Sequence, residues 1–290
     1  MAHLHAIGFA LVAALCIALS AVMRHWEAAR VPDLDLGRLG AIGSLVHRPL
    51  WWFGTAVGAG GYVFQAMALG RGSVLLVQSL LVSSLLFALP LAATLSGRAI
   101  RRSEWLWALV LSVAIVVLLI VGDPRQGKQH VAAWHWALTA AIGVPLFVAC
   151  LLGARQPGRR RALLLGIAAG ALFGLAAVLT KGVVTLIGEG AAAVFGSAET
   201  YALVVVGVAA VVLQQDSYQA GALQASLPAA TVTEPVVAAA LGILLLDEYF
   251  DVDGAHVILL ALALTAMTAA TLALARSAAS EPAPAPTPIR

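Results

Sequence analysis

Nine stretches of this chain, most of them about twenty residues or longer, are almost purely apolar. They run approximately 4–24, 50–70, 72–97, 103–122, 131–152, 162–187, 200–219, 221–246 and 255–276. About 20 helical residues cross the roughly 30 Å hydrocarbon core of a bilayer. Lipid offers the backbone no hydrogen bonds, so such segments must fold as helices that satisfy their own peptide groups. A soluble fold would need polar side chains to cover the same apolar mass, but 61% of the residues are apolar and only 11% charged, against about 25% charged in soluble domains. The expected fold class is all-α: a polytopic integral membrane protein with nine transmembrane helices. The first segment has no basic residues before it, and Arg24 and Arg30 follow it, so it reads as a retained helix and not as a signal peptide.

Nine crossings place successive loops on alternating sides, and the basic residues then sort strongly. Arg24, Arg30, Arg38, Arg48, Arg98, Arg101, Arg102, Arg155, Arg159, Arg160, Arg161, Arg276 and Arg290 fall on one side. Only Arg71, Arg125 and Lys128 fall on the other, and Lys181 is left inside a helix. Cytoplasmic loops carry the excess of Lys and Arg. The expected location is the cell membrane, multi-pass, with the N-terminus outside and the C-terminus cytoplasmic.

The chain also resembles itself. A slide of 149 residues lays Tyr62-Val63-Phe64-Gln65 over Val211-Val212-Leu213-Gln214, and the turn at Gly72 over Gly221. The long segment after each turn carries prolines (Pro90; Pro228 and Pro235) and ends in a polar knot, Gly97-Arg98 or Asp247-Glu248. Four helices followed by one extra crossing insert upside down the second time, and inverted repeats are a common build of secondary transporters. The expected organisation is an N-terminal repeat over 1–125 and a linking helix with a basic loop over 126–160. A C-terminal repeat over 161–276 and a disordered Ala/Pro tail over 277–290 complete it.

Charged residues inside helices cost about 2.5–3.5 kcal/mol each near the bilayer centre and by default mark function. Glu234 lies mid-helix beside Pro235, with Thr231 and Thr233 on the same turn; Lys181 and Asp216 lie in the two preceding segments. A proline removes a backbone donor and disturbs the turn before it. Pro235 and Pro90 therefore read as helix breaks, the first of them lining a polar cavity. Glu234 could hold a proton that a substrate displaces, or pair with Lys181. Asp216 reads more simply as a helix-end residue, and Lys181 could snorkel to the headgroups. Gln65, Gln214, Gln215, Tyr218 and Gln78 are read at comparable depth, as substrate ligands or as interhelical glue. Gly166-x3-Gly170-x3-Gly174 reads as a packing ridge. Cys16 and Cys150 suit neither a disulfide framework nor a zinc site, and His130 and His135 are poorly spaced for a metal, so no metal ligand is assigned.

The stretch Ala222-Leu223-Gln224-Ala225-Ser226-Leu227, through Glu234-Pro235-Val236-Val237-Ala238, to Leu245-Leu246-Asp247-Glu248 resembles the penultimate helix of the drug/metabolite transporter superfamily, the EamA-like permeases. Within it, Arg48-Pro49-Leu50-Trp51-Trp52-Phe53-Gly54 is similar to the second-helix opening of the NIPA-like branch. That resemblance implies magnesium transport, but the acidic and amide residues of that branch's second helix fall here on Gly61 and Phe64. The expected function is a secondary transporter of a small solute by alternating access. A NIPA-like magnesium transporter or channel is one alternative, and a non-transporting membrane scaffold another. No phosphate-binding loop or catalytic constellation stands out, so no enzyme activity and no cofactor are expected beyond a coupling proton or cation. The expected partners are the bilayer and a small-molecule or ion substrate, with no nucleic acid and a homodimer left open.

Overall fold

Long runs of Leu, Ala, Val and Ile have one way to satisfy their peptide groups in lipid, and the computed structural model shows it. It describes residues 2–28, 49–97, 99–128, 133–156, 158–220 and 223–279. The elements are α1 (Ala2–Ala28), α2 (Pro49–Leu69), α3 (Val74–Leu81), α4 (Ser84–Ser96), α5 (Arg102–Val121), β1 (Pro124–Arg125), α6 (Ala133–Gly153), α7 (Arg159–Glu189), α8 (Ala191–Gly196), α9 (Ala198–Gln219), α10 (Leu223–Leu246), β2 (Tyr249–Phe250) and α11 (His256–Ala279). Among the described residues, eight apolar helical spans are long enough to cross a membrane, α3 and α4 together forming one of them. The chain is a multi-pass helical membrane protein. Helix α2 is 21 residues long and lies outside those eight; Gly54, Gly58, Gly60, Gly61 and Gln65 dilute its apolar character. Most of the tail expected to be disordered, and the loop carrying Arg30, Arg38 and Arg48, lie outside the described residues.

Helix starts follow local chemistry. Pro49 opens α2, where its missing N–H costs nothing. Ser73 caps α3 by accepting from the Leu76 amide at 3.1 Å, and Ser197 caps α9 from Glu199 at 3.1 Å. Glu104 accepts from the Arg101 amide at 2.7 Å and so caps the start of α5 with its own side chain.

Two expectations about breaks are corrected. Pro90 and Pro235 lie inside continuous helices, α4 and α10, as do Pro145 in α6 and Pro228 in α10. Each removes one helical donor, a loss that packing in a membrane bundle tolerates. The interruption falls instead at Val82–Ser83, between α3 and α4, where no proline stands. There the Ser83 amide and hydroxyl both donate to the Leu80 carbonyl, at 2.9 and 2.5 Å, and the turn tightens to i→i+3 bonding. Serine competing for backbone acceptors is a sufficient cause.

Close packing rests on small residues. A Cβ added at Gly166 would meet the Ser226 backbone, one at Gly170 the Ala230 backbone, and one at Gly174 the Glu234 carbonyl, all below 3.0 Å. Helices α7 and α10 therefore run parallel with backbones touching, the ridge predicted from sequence. Gly58 against the Ser20 side chain, and Gly61 against Cys16 and Ile17, likewise let α2 pack against α1. Further packing joins α1 to α3 and α4, α7 to α9, and α5 to α11. Ala10, Leu69, Val77, Leu111, Leu118, Ala177 and Leu245 belong to the shared core.

One end of the bundle is tied by a short ribbon. Strands β1 and β2 pair antiparallel, Pro124 with Phe250 and Arg125 with Tyr249. Arg125 bridges Asp123 and Asp251, and Lys128 pairs with Asp247. The Lys128 amide donates to the Leu246 carbonyl at 2.6 Å, and Gln126 donates to the Arg71 carbonyl at 2.7 Å. This is the ribbon end; the arginine-rich loops 99–102 and 154–161 lie at the other.

Candidate functional site

The first amides of any helix lack intrahelical acceptors. At α3, which starts at the ribbon end, Ser73 takes one of them, and Glu248 takes two. Its carboxylate accepts from Val74 N at 2.8 Å and Leu75 N at 3.0 Å, so a full negative charge sits on the positive end of a helix. Glu248 arrives there because α10 stops at Asp247, held at φ +51°, after which the Glu248 amide donates to the Gly242 carbonyl at 3.1 Å. The side chain folds back over Gly242, whose missing Cβ leaves the space: an added Cβ would lie 3.0 Å from Oε2.

The counter-charge is Lys181 of α7. Its ammonium donates to Glu248 Oε1 at 2.6 Å and to the Gly72 carbonyl at 3.1 Å. The lysine side chain is 7% exposed and the glutamate side chain not at all. Lys181 thus neither snorkels nor pairs with Glu234. On α7 it stands seven residues beyond Gly174, which touches Glu234, a rise of about 10 Å. The sequence reading missed Glu248 because it looked like a solvated helix end. The available signal was Lys181 itself, a buried cation that needed an acid at its own depth.

Below this knot, in the span, lies a cavity of about 230 Å³. Helix α3 contributes Leu75, Gln78 and Ser79, α10 contributes Pro235, Val236, Ala239 and Ile243, and α11 contributes Met267, Thr268 and Thr271; Phe250 of the ribbon also lines it. Gln78 is 2% exposed, and its Nε2 has no protein partner.

The remaining predicted residues do not converge there. Thr233 and Glu234 face α7 across Gly170 and Gly174, and Thr231 spends its hydroxyl on the Leu227 carbonyl. Gln65 is buried near the ribbon end of α2. Gln214, Gln215, Asp216 and Tyr218 lie near the opposite end of α9, about 24 Å from Glu199, whose carboxylate rests on Gly182 at the ribbon end. The expected common depth is therefore corrected: Gln65 and Gln214 lie toward opposite ends of the bundle. Asp216 does sit near a helix end, as expected.

Outside the span, hydrogen bonding to Lys128 holds Asp247 below the ordinary aspartate pKa of 3.8, and the Lys128 charge adds to this. Among the described residues, no three His, Cys, Asp or Glu side chains come close enough to hold a metal ion.

Comparison with known proteins gives one informative match. An uncharacterized protein of Corynebacterium glutamicum, Cgl0250/cg0304, is 38% identical over 272 residues, which cover 93% of this chain and 94% of the relative. No protein-family model matches the chain. No solved structure matches it.

Proposed function

The chain belongs to the same family as the Corynebacterium glutamicum protein Cgl0250/cg0304, and on that premise we propose that it is a secondary transporter moving a small solute across the cell membrane by alternating access. The match runs almost end to end, so the whole bundle is the family's common unit. In this reading α2 is the ninth crossing, and helices α1–α5 and α7–α11 form two inverted repeats joined by α6, on the pattern of the drug/metabolite permeases. The packing supports this, since α1 meets α2 and then α3/α4, as α7 meets α9 and then α10. The arginine end is cytoplasmic, which places the N-terminus and the ribbon outside.

The observation that carries the reading is the knot of Lys181, Glu248 and the α3 N-terminus. It joins the two proposed repeats at one end with buried charge. A purely structural contact would do as well or better with packed apolar residues. Charge suits a contact that must part and be rehydrated. A magnesium pathway is the weaker alternative, because the buried carboxylate at this end already holds an ammonium. The reading has no place for catalysis, a resident cofactor or nucleic acid, and it leaves coupling to a proton or cation at Glu234.

Comparing metabolites inside and outside cells with and without the gene should show one solute class redistributed. In proteoliposomes, Glu234→Gln should fold yet lose gradient-driven accumulation of that solute while keeping exchange. No redistributed solute would overturn the transporter reading. Wild-type transport by Glu234→Gln, with unchanged pH dependence, would instead return Glu234 to a packing role.

A further inference from the structure

The two ends of the bundle treat their positive charges differently. At the ribbon end Arg125, Lys128 and Lys181 each meet a carboxylate. At the other end Arg155, Arg159, Arg160 and Arg161 crowd the turn between α6 and α7, and all four are exposed. No Asp or Glu occurs anywhere from residue 124 to residue 188. Among the described residues, no carboxylate from elsewhere in the fold pairs with these four guanidiniums either. Arg160 lies across the seam between the two helices, with one guanidinium nitrogen 3.8 Å from where a Cβ on Gly153 would stand. Four unneutralised charges in so short a stretch sum to a local positive field that draws anions.

Position and chemistry say which anion. Helix α6 ends at Gly153 and α7 begins at Arg159, so only the five residues 154–158 link two membrane spans. Running out and back, that link reaches no more than about 10 Å past the helix ends, which keeps it in the headgroup layer. The cations are all arginines, whose planar fork takes two phosphate oxygens at once. Both lysines of the chain, Lys128 and Lys181, stand at the ribbon end. Helix α6 is also weakly held, since none of residues 134–153 is buried. A phosphate gripped by Arg155 and Arg160 would span the end of α6 and the start of α7.

We propose that the α6–α7 turn binds the phosphate of an anionic phospholipid through Arg155, Arg159 and Arg160, with Arg161 adding charge, and that this lipid fastens α6 to α7. The site lies at the opposite end of the bundle from the Lys181–Glu248 knot and stands independently of the transporter reading.

The test is native mass spectrometry of the full chain from micelles doped with phosphatidylglycerol or phosphatidylcholine, with melting curves in nanodiscs of the same two lipids. Phosphatidylglycerol should stay bound and raise the melting temperature, and phosphatidylcholine should do neither. Each arginine near an anionic surface is worth about fivefold in affinity. Arg155→Gln, Arg159→Gln and Arg160→Gln together should therefore weaken phosphatidylglycerol roughly a hundredfold and cancel the melting shift. The same three positions changed to lysine keep the charge but lose the fork, and should recover only part of the affinity. Arg101→Gln with Arg102→Gln, at the start of α5, should change binding far less. The comparison of the two lipids on the wild type stands by itself should a variant fold poorly. Equal retention of both lipids by the wild type would overturn the proposal. So would a loss in the Arg101 and Arg102 variant as large as in the α6–α7 variant, which would mean diffuse charge and no site. Displacement of phosphatidylglycerol by inorganic phosphate would mean a site for soluble phosphate, and would overturn the lipid assignment.

Discussion

At the ribbon end, Glu248 gathers two peptide amides of α3 and the ammonium of Lys181, and so ties together parts of the chain more than sixty residues apart. At the arginine end another buried carboxylate, Glu104, caps its own helix at Arg101 N and accepts from the Ser277 hydroxyl of α11 at 2.5 Å. Both acids sit at helix starts and both are nearly inaccessible, at 1% and 3% exposure. One accepts a backbone amide within its own turn and a hydroxyl from a neighbouring helix. The other is the centre of an ionic junction that also takes in the ribbon loops. The contrast shows that a local helix rule accounts for one of Glu104's bonds, whereas Glu248 can be explained only by the tertiary contacts it makes.

That contrast can be broken. Removing one partner of a buried pair strands the other, so Lys181→Met or Glu248→Gln alone should cost about 3–5 kcal/mol in unfolding experiments. Lys181→Met with Glu248→Gln should recover much of the loss, because the glutamine oxygen can still accept from an α3 amide. Additive losses in the double variant would mean that the two residues do not act as a pair. At the other end, Glu104→Ala should cost less, about 1–2 kcal/mol for a lost cap and a charged hydrogen bond. A loss as large as that of Glu248→Gln would erase the distinction between the ends. The smallest effect belongs to the exposed Lys128–Asp247 tie. Asp247 titrates below 3.8, so its stabilisation is present above that pH and fades as the pH falls through the lower folded value. Asp247→Asn should melt slightly below the wild type near neutrality, with the two melting curves converging as the pH falls below the folded value.

The helices were legible because lipid leaves the backbone one solution, and the start and end of each apolar run follow from it. The Gly166–Gly170–Gly174 ridge was legible too, since a four-residue period of missing side chains has few other uses. The prolines misled because a helix loses only one bond at each, while the Ser83 turn, made by hydroxyl competition, leaves little trace in an apolar count. Lys181 was marked by its cost alone. Its partner was hidden because Glu248 lies beyond a helix end, where a charge is ordinarily cheap, and nothing local says that the chain folds back over Gly242. Gln78 was noted, but only the cavity distinguishes it from the other glutamines.

The glycine ridge has a mechanical consequence for the knot. Bare backbones meeting every four residues fit in steps of about 6 Å and resist anything between, so α7 and α10 behave as one clamped beam. Lys181 rides on one member of the beam, and Glu248 is anchored at the tip of the other through Gly242. Any parting at the ribbon end that respects the clamp therefore keeps acid and base in each other's grip. In such a parting the start of α3 would let go, giving up two amide bonds and leaving a preassembled, newly wetted ion pair at the ribbon end.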